Sequence, residues 1–399
     1  MTTNKNYPYL LFVISFLSVA LGAMDSVLSS AYLPEILKDM GMNTDEDTKA
    51  GTGAWINFAF LAGGTVGGIA LSFLSDRLGR RNILALSLAL YGAGSGLAIF
   101  ATGWELFAVT RFIVGTGVGA ALVVSAVAIA DSWEGRTRAI ALGILSIAYP
   151  VGIIGSGIIT SNIPDWKIAF GIGTIPLLLA LPAYLLVKET LRKSKDILSE
   201  KKVSLGDHGS SLISGMLIYG TMLIGLWSAF AWLPTWVQSL IGDNTEKGQS
   251  QRGMAVTLLG IGGLAGGLVS GWLANRWGHR MMQGICFVLC LLLSFFMFKL
   301  GETFSTRILT GSAALGFCFG ISQGVLNDFI PNLFPASIRS SATGLCFHAG
   351  RAFTAVAVFF VGAWAVSLGG YGNAIFIFSW VYIIGFIALL FMKNVSTSR

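Results

Sequence analysis

Charged side chains are scarce in this sequence of 399 residues. Only 11% of the residues are Asp, Glu, Lys or Arg, against about 25% in ordinary soluble domains. Apolar residues make up 54%, and the mean hydropathy is +0.74. This balance excludes a soluble globular enzyme and a disordered chain. The 51 Gly residues further favour helices that pack closely in lipid. The sequence therefore predicts an all-α membrane protein that acts within the bilayer.

Cysteine and histidine are also few, and their positions argue against several kinds of chemistry. The four cysteines lie inside apolar runs, where they are typical of small packing residues, and the chain has three histidines. We find no metal-ligand spacing, no nucleophile and base pair, and no phosphate-binding GxxxxGK motif. Basic patches with interleaved aromatic residues, which favour nucleic-acid binding, are missing as well. We predict no enzyme activity, no metal, no cofactor and no nucleic-acid partner.

Long apolar runs dominate the chain, and each is long enough to cross a hydrocarbon core that needs about 20 residues. The first run is much longer than the core of a signal peptide, so we expect a retained helix. Charge and turn residues separate the runs. Twelve membrane spans are predicted, near residues 8 to 37, 52 to 74, 82 to 101, 104 to 130, 139 to 161, 167 to 187, 211 to 239, 253 to 274, 281 to 300, 305 to 331, 340 to 367 and 372 to 392.

Lysine and arginine are unevenly distributed between the loops. With the N-terminus inside, the loops and tails on the inner side hold seventeen of them, and the opposite side holds seven. A surplus of Lys and Arg marks the cytoplasmic side. We therefore predict a multi-pass protein of the plasma membrane, in bacteria the inner membrane, with both termini in the cytoplasm.

One long polar segment divides the chain into two parts of similar length. This predicted cytoplasmic linker covers residues 188 to 210 and holds six Lys or Arg residues between 188 and 202. Six predicted spans precede it and six follow it. The predicted domains are an N-terminal six-helix bundle at 1 to 187 and a C-terminal six-helix bundle at 211 to 399.

The two halves also repeat each other in sequence. Residues 65 to 81 align without gaps with residues 264 to 280, with Gly67, Gly68 and Arg77 among the identical positions. Further registers match Arg111 with Arg307, Gly115 with Gly311, Arg138 with Arg339, and Gly143 with Gly344. Repeated halves related about the membrane normal are an architecture of transporters, with a binding site at their interface.

The loop after the second span carries a motif of a known family. Ser72, Asp76, Arg77, Gly79, Arg80 and Arg81 resemble the G-x3-D-R-x-G-R-R motif of the major facilitator superfamily, with Ser72 in place of the first Gly. Arg111-x3-Gly115-x3-Gly119 in the fourth span is similar to a further element of that family. The segment 332 to 351, together with 232 to 236 and 23 to 34, is similar to the metabolite and organic-anion proton symporter branches.

The resemblance implies a gate on the cytoplasmic side. A carboxylate at Asp76 could engage basic residues or a helix N-terminus of the other half in one conformation only. The alternative for the arginines is that they only fix the topology. We predict that the gating residues are Asp76, Arg77, Arg80, Arg81, Asp131, Arg138, Arg276, Arg280, Asp328 and Arg339.

Charges inside the spans are candidates for the transport site, because ionisable residues within a membrane are costly and usually face a cavity or a partner. Asp25 and Arg111 come within several Å of the same depth at about 1.5 Å per residue. The family's first and fourth spans line its central cavity. The resemblance thus places both residues where they could bind substrate or protons, or else form a structural ion pair.

A second candidate group lies on the eleventh span. Arg351 is near the middle of the bilayer, and His348 precedes it by three residues on the same face. Guanidinium groups bind carboxylate or phosphate, and His titrates near neutral pH. A packing role for His348 is the alternative. Among the aromatic residues, we predict that Tyr32, Trp227 and Trp232 line or gate the site.

The predicted function is secondary active transport of a small hydrophilic, anionic metabolite by proton-coupled alternating access, with symport favoured. The partners are the small-molecule substrate and the lipid bilayer, and a monomer is expected to function. A drug:proton antiporter is one alternative, because Tyr149-Pro150-Val-Gly152 partly resembles an antiporter motif. A non-transporting membrane receptor is the other.

Overall fold

The structure is a computed structural model that describes residues 7–42, 45–187, 208–242, 245–301, 303–335 and 338–392. These residues form helices and no strands. A π-helical turn at Phe295–Lys299 and a 3-10 turn at Pro331–Leu333 extend two of them. The α-helices are α1 Tyr7–Ala31, α2 Leu33–Asp39, α3 Glu46–Leu78, α4 Arg80–Ala98, α5 Trp104–Ser132, α6 Gly135–Ser146, α7 Ala148–Asn162, α8 Trp166–Ile172, α9 Ile175–Leu186, α10 Gly209–Ile241, α11 Thr245–Trp277, α12 His279–Ser294, α13 Thr306–Phe329, α14 Arg339–Ala363, α15 Tyr371–Ser379 and α16 Val381–Phe391.

Eleven stretches within the described residues are long and apolar enough to cross a membrane. Each corresponds to one predicted span. The remaining prediction, 82 to 101, coincides with α4, whose 19 residues would extend about 28 Å at 1.5 Å per residue. Helix α4 is less apolar than the others because Arg80 and Arg81 stand at its start and Gly and Ser residues near its end.

Helices α3 and α5 run parallel and lie in close contact, which fixes the course of α4 between them. A Cβ atom at Gly115 would lie 2.0 Å from the carbonyl oxygen of Phe60, and one at Gly119 would lie 2.1 Å from that of Gly64. Only glycine permits this approach. Because both contacts advance along the two helices in the same direction, α4 must cross the bundle in the opposite direction to connect them.

The C-terminal half repeats this helix pair in α11 and α13. A Cβ atom at Gly316 would lie 2.1 Å from the carbonyl oxygen of Leu259, and one at Gly320 would lie 2.2 Å from that of Gly263. These glycines therefore correspond to Gly115 and Gly119 of the first half. The sequence register that matched Gly115 with Gly311 and Arg111 with Arg307 is wrong by five residues, because Arg111 corresponds to Ser312.

The turn in the repeated motif is the same in both halves. Gly79 separates α3 from α4 with φ 96°, and Gly278 separates α11 from α12 with φ 83°. Backbone of this conformation favours glycine, which confirms both the alignment of 65 to 81 with 264 to 280 and the predicted tight reversal.

Helices α1 to α9 pack mainly against one another, and so do α10 to α16. The two sets meet where α7 contacts α11, α3 contacts α14, and α1 contacts α10. Residues 188–207 of the predicted linker lie outside the described residues, and so do 1–6 and 393–399 at the termini. The linker boundaries and the orientation of the termini remain predictions.

Hydrogen bonds and an ion pair join the two sets at one end of the molecule, formed by α2, the end of α7 and the start of α11. We call it the closed end. Arg252 of α11 pairs with Glu35 of α2, and the Gln249 side chain donates to the carbonyl oxygens of Thr160 and Ile163 after α7. The charge distribution predicts that the closed end faces outward.

Candidate transport site

A fully buried ion pair lies inside the N-terminal half. Arg111 Nη1 is 3.1 Å from Asp25 Oδ1, and both side chains have no exposed surface. Ser95 donates to the same carboxylate oxygen at 3.2 Å, and Arg111 Nη2 donates to the Gly94 carbonyl at 3.4 Å. Two polar atoms of the pair, Asp25 Oδ2 and Arg111 Nε, have no hydrogen-bond partner among the described residues.

Aromatic rings enclose the guanidinium group of this pair. Arg111 Cζ lies 4.7 Å from the ring centre of Phe170 and 5.3 Å from that of Phe107. The pair therefore faces the core of its own half and is the structural ion pair that we considered as the alternative, whereas a role of Asp25 and Arg111 in binding substrate or protons stays a prediction. Their depth was judged correctly. The side of the helix on which Asp25 lies was not predicted. Successive residues of a helix point in directions about 100° apart, so Asp25 points away from the side on which Ser26 lies.

A narrow cavity, too tight in this conformation to hold a water molecule, lies between α1, α3 and α10, where the two halves meet. Its polar wall belongs to the N-terminal half and its aromatic wall mainly to the C-terminal half. The residues that line it are Ser26, Ser30, Asn57, Phe60, Leu61, Trp227, Phe230 and Ala231.

The polar wall is a chain of hydroxyl and amide groups. Ser30 Oγ donates to Asn57 Oδ1 at 3.0 Å, and the Asn57 amide nitrogen has no partner among the described residues. Four residues before Ser30, Ser26 donates to the Ala23 carbonyl and lies 3.1 Å from the Tyr149 hydroxyl. These groups offer hydrogen bonds without a net charge.

The aromatic wall centres on Trp227. Its ring centre lies 6.0 Å from that of Phe60, 5.9 Å from that of Phe230 and 6.4 Å from that of Tyr149. Trp227 therefore contacts residues of both halves and lies in the cavity wall, and its role in lining or gating a transport site stays a prediction.

Tyr32 and Trp232, which we expected beside the cavity, lie elsewhere. The Tyr32 hydroxyl donates to the Ile163 carbonyl at 2.7 Å, at the closed end. Trp232 is fully buried in the C-terminal half, where Nε1 donates to the Val358 carbonyl at 3.0 Å and the ring stacks on Tyr371. Five residues after Trp227, its side chain points about 140° away around the helix. Neither residue lines the cavity in this conformation, and a part of either residue in gating stays a prediction.

Arg351 and His348 extend from α14 towards α3, across the contact between the halves. A Cβ atom at Gly68 would lie 3.2 Å from Arg351 Nη1 and 3.7 Å from His348 Cε1. Arg351 is half-buried and has no ion pair or hydrogen bond among the described residues. The buried Nδ1 of His348 also has no hydrogen-bond partner among them. The guanidinium is also close enough to Tyr149 for a Coulombic interaction.

The predicted gate motif forms an ion-pair cluster within one half. Arg80, which is 5% exposed, lies 2.8 Å from Asp76 and 3.1 Å from Asp131, and it donates to Ser75 Oγ at 2.9 Å. Asp76 thus pairs with its own half in this conformation. A contact with the other half, which we predicted for one conformation only, remains a proposal.

The other gate candidates occupy matching places in the two halves. Arg138 donates to the Trp133 carbonyl at 2.8 Å, and Arg339 donates to the Phe334 carbonyl at 3.3 Å, each five residues earlier.

On the C-terminal side, His279 stands where the repeat has Arg80, and it lies 2.6 Å from Asp328. Arg280 donates to the Leu390 carbonyl at 2.8 Å. Arg77 and its counterpart Arg276 are exposed. Arg81 lies 4.8 Å from the ring centre of Tyr184.

Sequence reasoning missed the charged contact at the closed end. Arg252 precedes the predicted span 253 to 274 by one residue, yet its side chain is fully buried, and its Nη1 donates to Gln238 Oε1 at 2.7 Å besides the pairing with Glu35. A signal was present, because Glu35 falls inside the predicted span 8 to 37. The polar residues Ser26, Ser30, Asn57 and Tyr149 were also missed, since uncharged residues in apolar runs give no signal of their own.

Comparisons with known proteins agree with this architecture. The family model of the Major Facilitator Superfamily matches residues 14–353. The chain is 26% identical to the cis,cis-muconate transport protein of Acinetobacter baylyi, covering 96% of this chain and 94% of that protein. It is 23% identical to the 4-hydroxybenzoate transporter PcaK of Pseudomonas putida, covering 90% and 86%.

The fold is shared with a solved structure. The crystal structure of the D-xylose-proton symporter superposes with a TM-score of 0.77 at 21% identity, over 97% of this chain and 98% of that chain. The match of the family model over most of the chain assigns it to a family of transporters rather than enzymes. The chain belongs to the Major Facilitator Superfamily and is a multi-pass membrane protein and a secondary transporter.

Proposed function

We propose that this transporter carries a small hydrophilic organic anion together with protons, by alternating access. The observation that carries the proposal is Arg351, a half-buried guanidinium between the two halves that has no counter-ion among the described residues. A charge within a membrane protein is costly unless a partner neutralises it. A carboxylate on the substrate is the partner that fits a guanidinium group best.

The relatives support an organic acid as the substrate class. The two named relatives are described as transporters of cis,cis-muconate and of 4-hydroxybenzoate. Both compounds are carboxylates. In this chain the carboxylate would bind Arg351, His348 would donate or accept a hydrogen bond beside it, and Trp227 would pack against the body of the molecule.

Asp25 is the first candidate for the coupling proton. Its carboxylate holds Arg111 in a water-excluded place, and one of its oxygens has no hydrogen-bond partner among the residues that the structure describes. Protonation of Asp25 would remove the charge that holds Arg111, so the two helices α1 and α5 could then shift with a change of conformation. His348 is the second candidate.

Alternating access requires that the closed end opens while the opposite end closes. The Glu35–Arg252 pair must break for this exchange. At the opposite end, the exposed Asp76 would then be available to the other half. We further propose that the closed end faces outward, that both termini lie in the cytoplasm, and that the protein works in the plasma membrane. A monomer suffices, because the cavity lies within one chain.

Uptake into proteoliposomes tests the proposal. The purified protein is supplied with single organic acids, with and without an inwardly directed proton gradient. Symport predicts accumulation against a gradient of the acid that collapses with a protonophore. Export of cationic drugs in exchange for protons would instead support the antiporter, and binding without movement of any acid would support a receptor.

A further inference from the structure

Asn57 carries a polar group that the protein leaves unpaired. The residue is 5% exposed and lies in the wall of the narrow cavity between α1, α3 and α10. Its Oδ1 accepts a hydrogen bond from Ser30 at 3.0 Å, whereas its Nδ2 has no partner among the described residues. A buried donor without a partner destabilises the folded state. A ligand that enters the cavity would satisfy it.

We propose that Asn57, held in place by Ser30, binds a neutral hydroxyl group of the transported anion. This inference rests on the proposed function and names the substrate class more closely, as a hydroxylated organic acid. A hydroxyl group both donates and accepts, so it can pair with either end of the amide. A carboxylate fits less well, because the surrounding Phe60, Leu61 and Ala231 offer no charge to compensate it.

The polar groups of the cavity also set the direction in which such a substrate lies. Ser26 precedes Ser30 by four residues on α1, so Ser26 and its neighbour Tyr149 lie about 6 Å along the helix from the Asn57 level. The Arg351 guanidinium interacts electrostatically with Tyr149 and lies beside Gly68, eleven residues after Asn57 on α3. The hydroxyl end therefore binds at Asn57 towards the closed end, and the carboxylate points towards Tyr149 and Arg351.

The body of the substrate lies between these polar ends, beside aromatic rings. Phe60 and Trp227 contact each other across the cavity, with ring centres 6.0 Å apart. A flat apolar body can replace this contact by stacking on the same rings. The combined features describe a planar organic acid whose hydroxyl group lies opposite its carboxylate.

The test uses two probes that differ by one hydroxyl group, 4-hydroxybenzoate and benzoate. Calorimetry on the purified full chain measures the affinity of each. We expect the wild type to bind 4-hydroxybenzoate at least about tenfold more tightly, because a site built around a hydroxyl group rejects the analogue that lacks it. Asn57→Ala should abolish this preference through loss of 4-hydroxybenzoate binding, with the affinity for benzoate nearly unchanged.

Two further variants separate this role from a structural one. Ser30→Ala removes the hydroxyl that holds Asn57 and should reduce the preference in part, which decides the matter if Asn57→Ala does not fold. Asn162→Ala is the matched control, because Asn162 is exposed at the closed end and donates only to the Ile158 carbonyl of its own helix. It should leave the preference intact. In the empty protein, Asn57→Ala should change the melting temperature little, since it removes an unpaired donor but also the acceptor of the Ser30 hydroxyl.

Equal affinities of the wild type for the two probes would overturn the proposal, as would a preference that survives in Asn57→Ala or a failure of both probes to bind. A fall in the melting temperature of empty Asn57→Ala would assign the residue to packing. The proposed function is judged separately: proton-driven uptake of other organic acids by the wild type would leave it standing even if the hydroxyl site fails.

Discussion

Glu35→Gln should shift this transporter away from the conformation seen here. Gln keeps the size of the side chain but removes its charge. Arg252 then remains fully buried, with its Nη1 bonded to Gln238 and no carboxylate beside Nη2. The state with the closed end shut is therefore destabilised, whereas a state in which that end is open gives Arg252 access to water.

The size of the effect follows from the burial of the pair. Removal of one partner of a buried ion pair costs about 3 to 5 kcal/mol. The Glu35 side chain is 15% exposed, and the hydrogen bond from Arg252 to Gln238 remains, so the lower figure applies. A cost of about 3 kcal/mol corresponds to about a hundredfold change in the equilibrium between the states with this end shut and open. A population that is about 99% closed would fall to about one half.

Crosslinking of a cysteine pair at the closed end measures this population. Ser161 and Ser250 belong to different halves, and Ser161 Oγ lies 3.4 Å from the Ser250 carbonyl oxygen. Ser161→Cys and Ser250→Cys are introduced together after the four buried native cysteines are replaced by Ser. The extent of crosslinking by a short reagent should fall about twofold in Glu35→Gln.

Asp39→Asn is the matched control. Asp39 is half-exposed, and its ion pair with Lys167 lies within the N-terminal half, so crosslinking should not change. The double variant Glu35→Gln with Arg252→Gln should recover most of the closed population, because no unpaired charge remains. Full crosslinking in Glu35→Gln, or a double variant more open than the single one, would refute this account of the closed end.

Three further outcomes are expected. Arg111→Gln should lower expression by leaving Asp25 buried and unpaired, and adding Asp25→Asn should restore part of it; expression that the second change does not improve would contradict an energetic role for the pair. Arg351→Lys should weaken binding of a transported acid by at least about tenfold, roughly 1.4 kcal/mol, as measured by calorimetry, and unchanged affinity would place the anion elsewhere. Gly316→Ala should lower the melting temperature because its Cβ would meet the Leu259 carbonyl, whereas Gly267→Ala, with open space around it, should not; equal effects would argue against the close helix contact.

The number and positions of the membrane helices could be predicted because the membrane imposes a length on each apolar run. Helix α4 shows the limit of that signal, since charge at one end and small residues at the other make it less apolar than its neighbours. The motif glycines Gly79 and Gly278 were predictable as turns because their backbone conformation excludes most other residues.

The direction in which a side chain points within the bundle could not be predicted from its depth in the membrane alone. Asp25 and Ser26 are neighbours, yet one lies in a dry core and the other lines the cavity. Apolar positions surround most of these helices, so hydrophobic periodicity does not distinguish the face towards lipid from the face towards another helix. Trp227 and Trp232 differ in the same way, and only the packing of α10 against its neighbours separates them.

One of the predicted alignments between the two halves was wrong for a related reason. Arg111 and Gly115 resemble Arg307 and Gly311 in spacing, but the constraint that matters is where a backbone carbonyl approaches a glycine. That constraint pairs Gly115 with Gly316, a relation that involves two helices at once. A comparison of single segments contains no information on it.

The hydrogen bonds and the ion pair at the closed end differ in the free energy needed to break them when the two halves separate. Gln249 bonds the carbonyl groups of Thr160 and Ile163 at the end of α7, and such carbonyl groups have no donor within their own helix. Water can take the place of Gln249 with little change in free energy. Among the polar contacts at this end, most of the resistance to opening is thus concentrated in the contact between Glu35 and Arg252, and a single substitution there can tune how long the transporter dwells in each state.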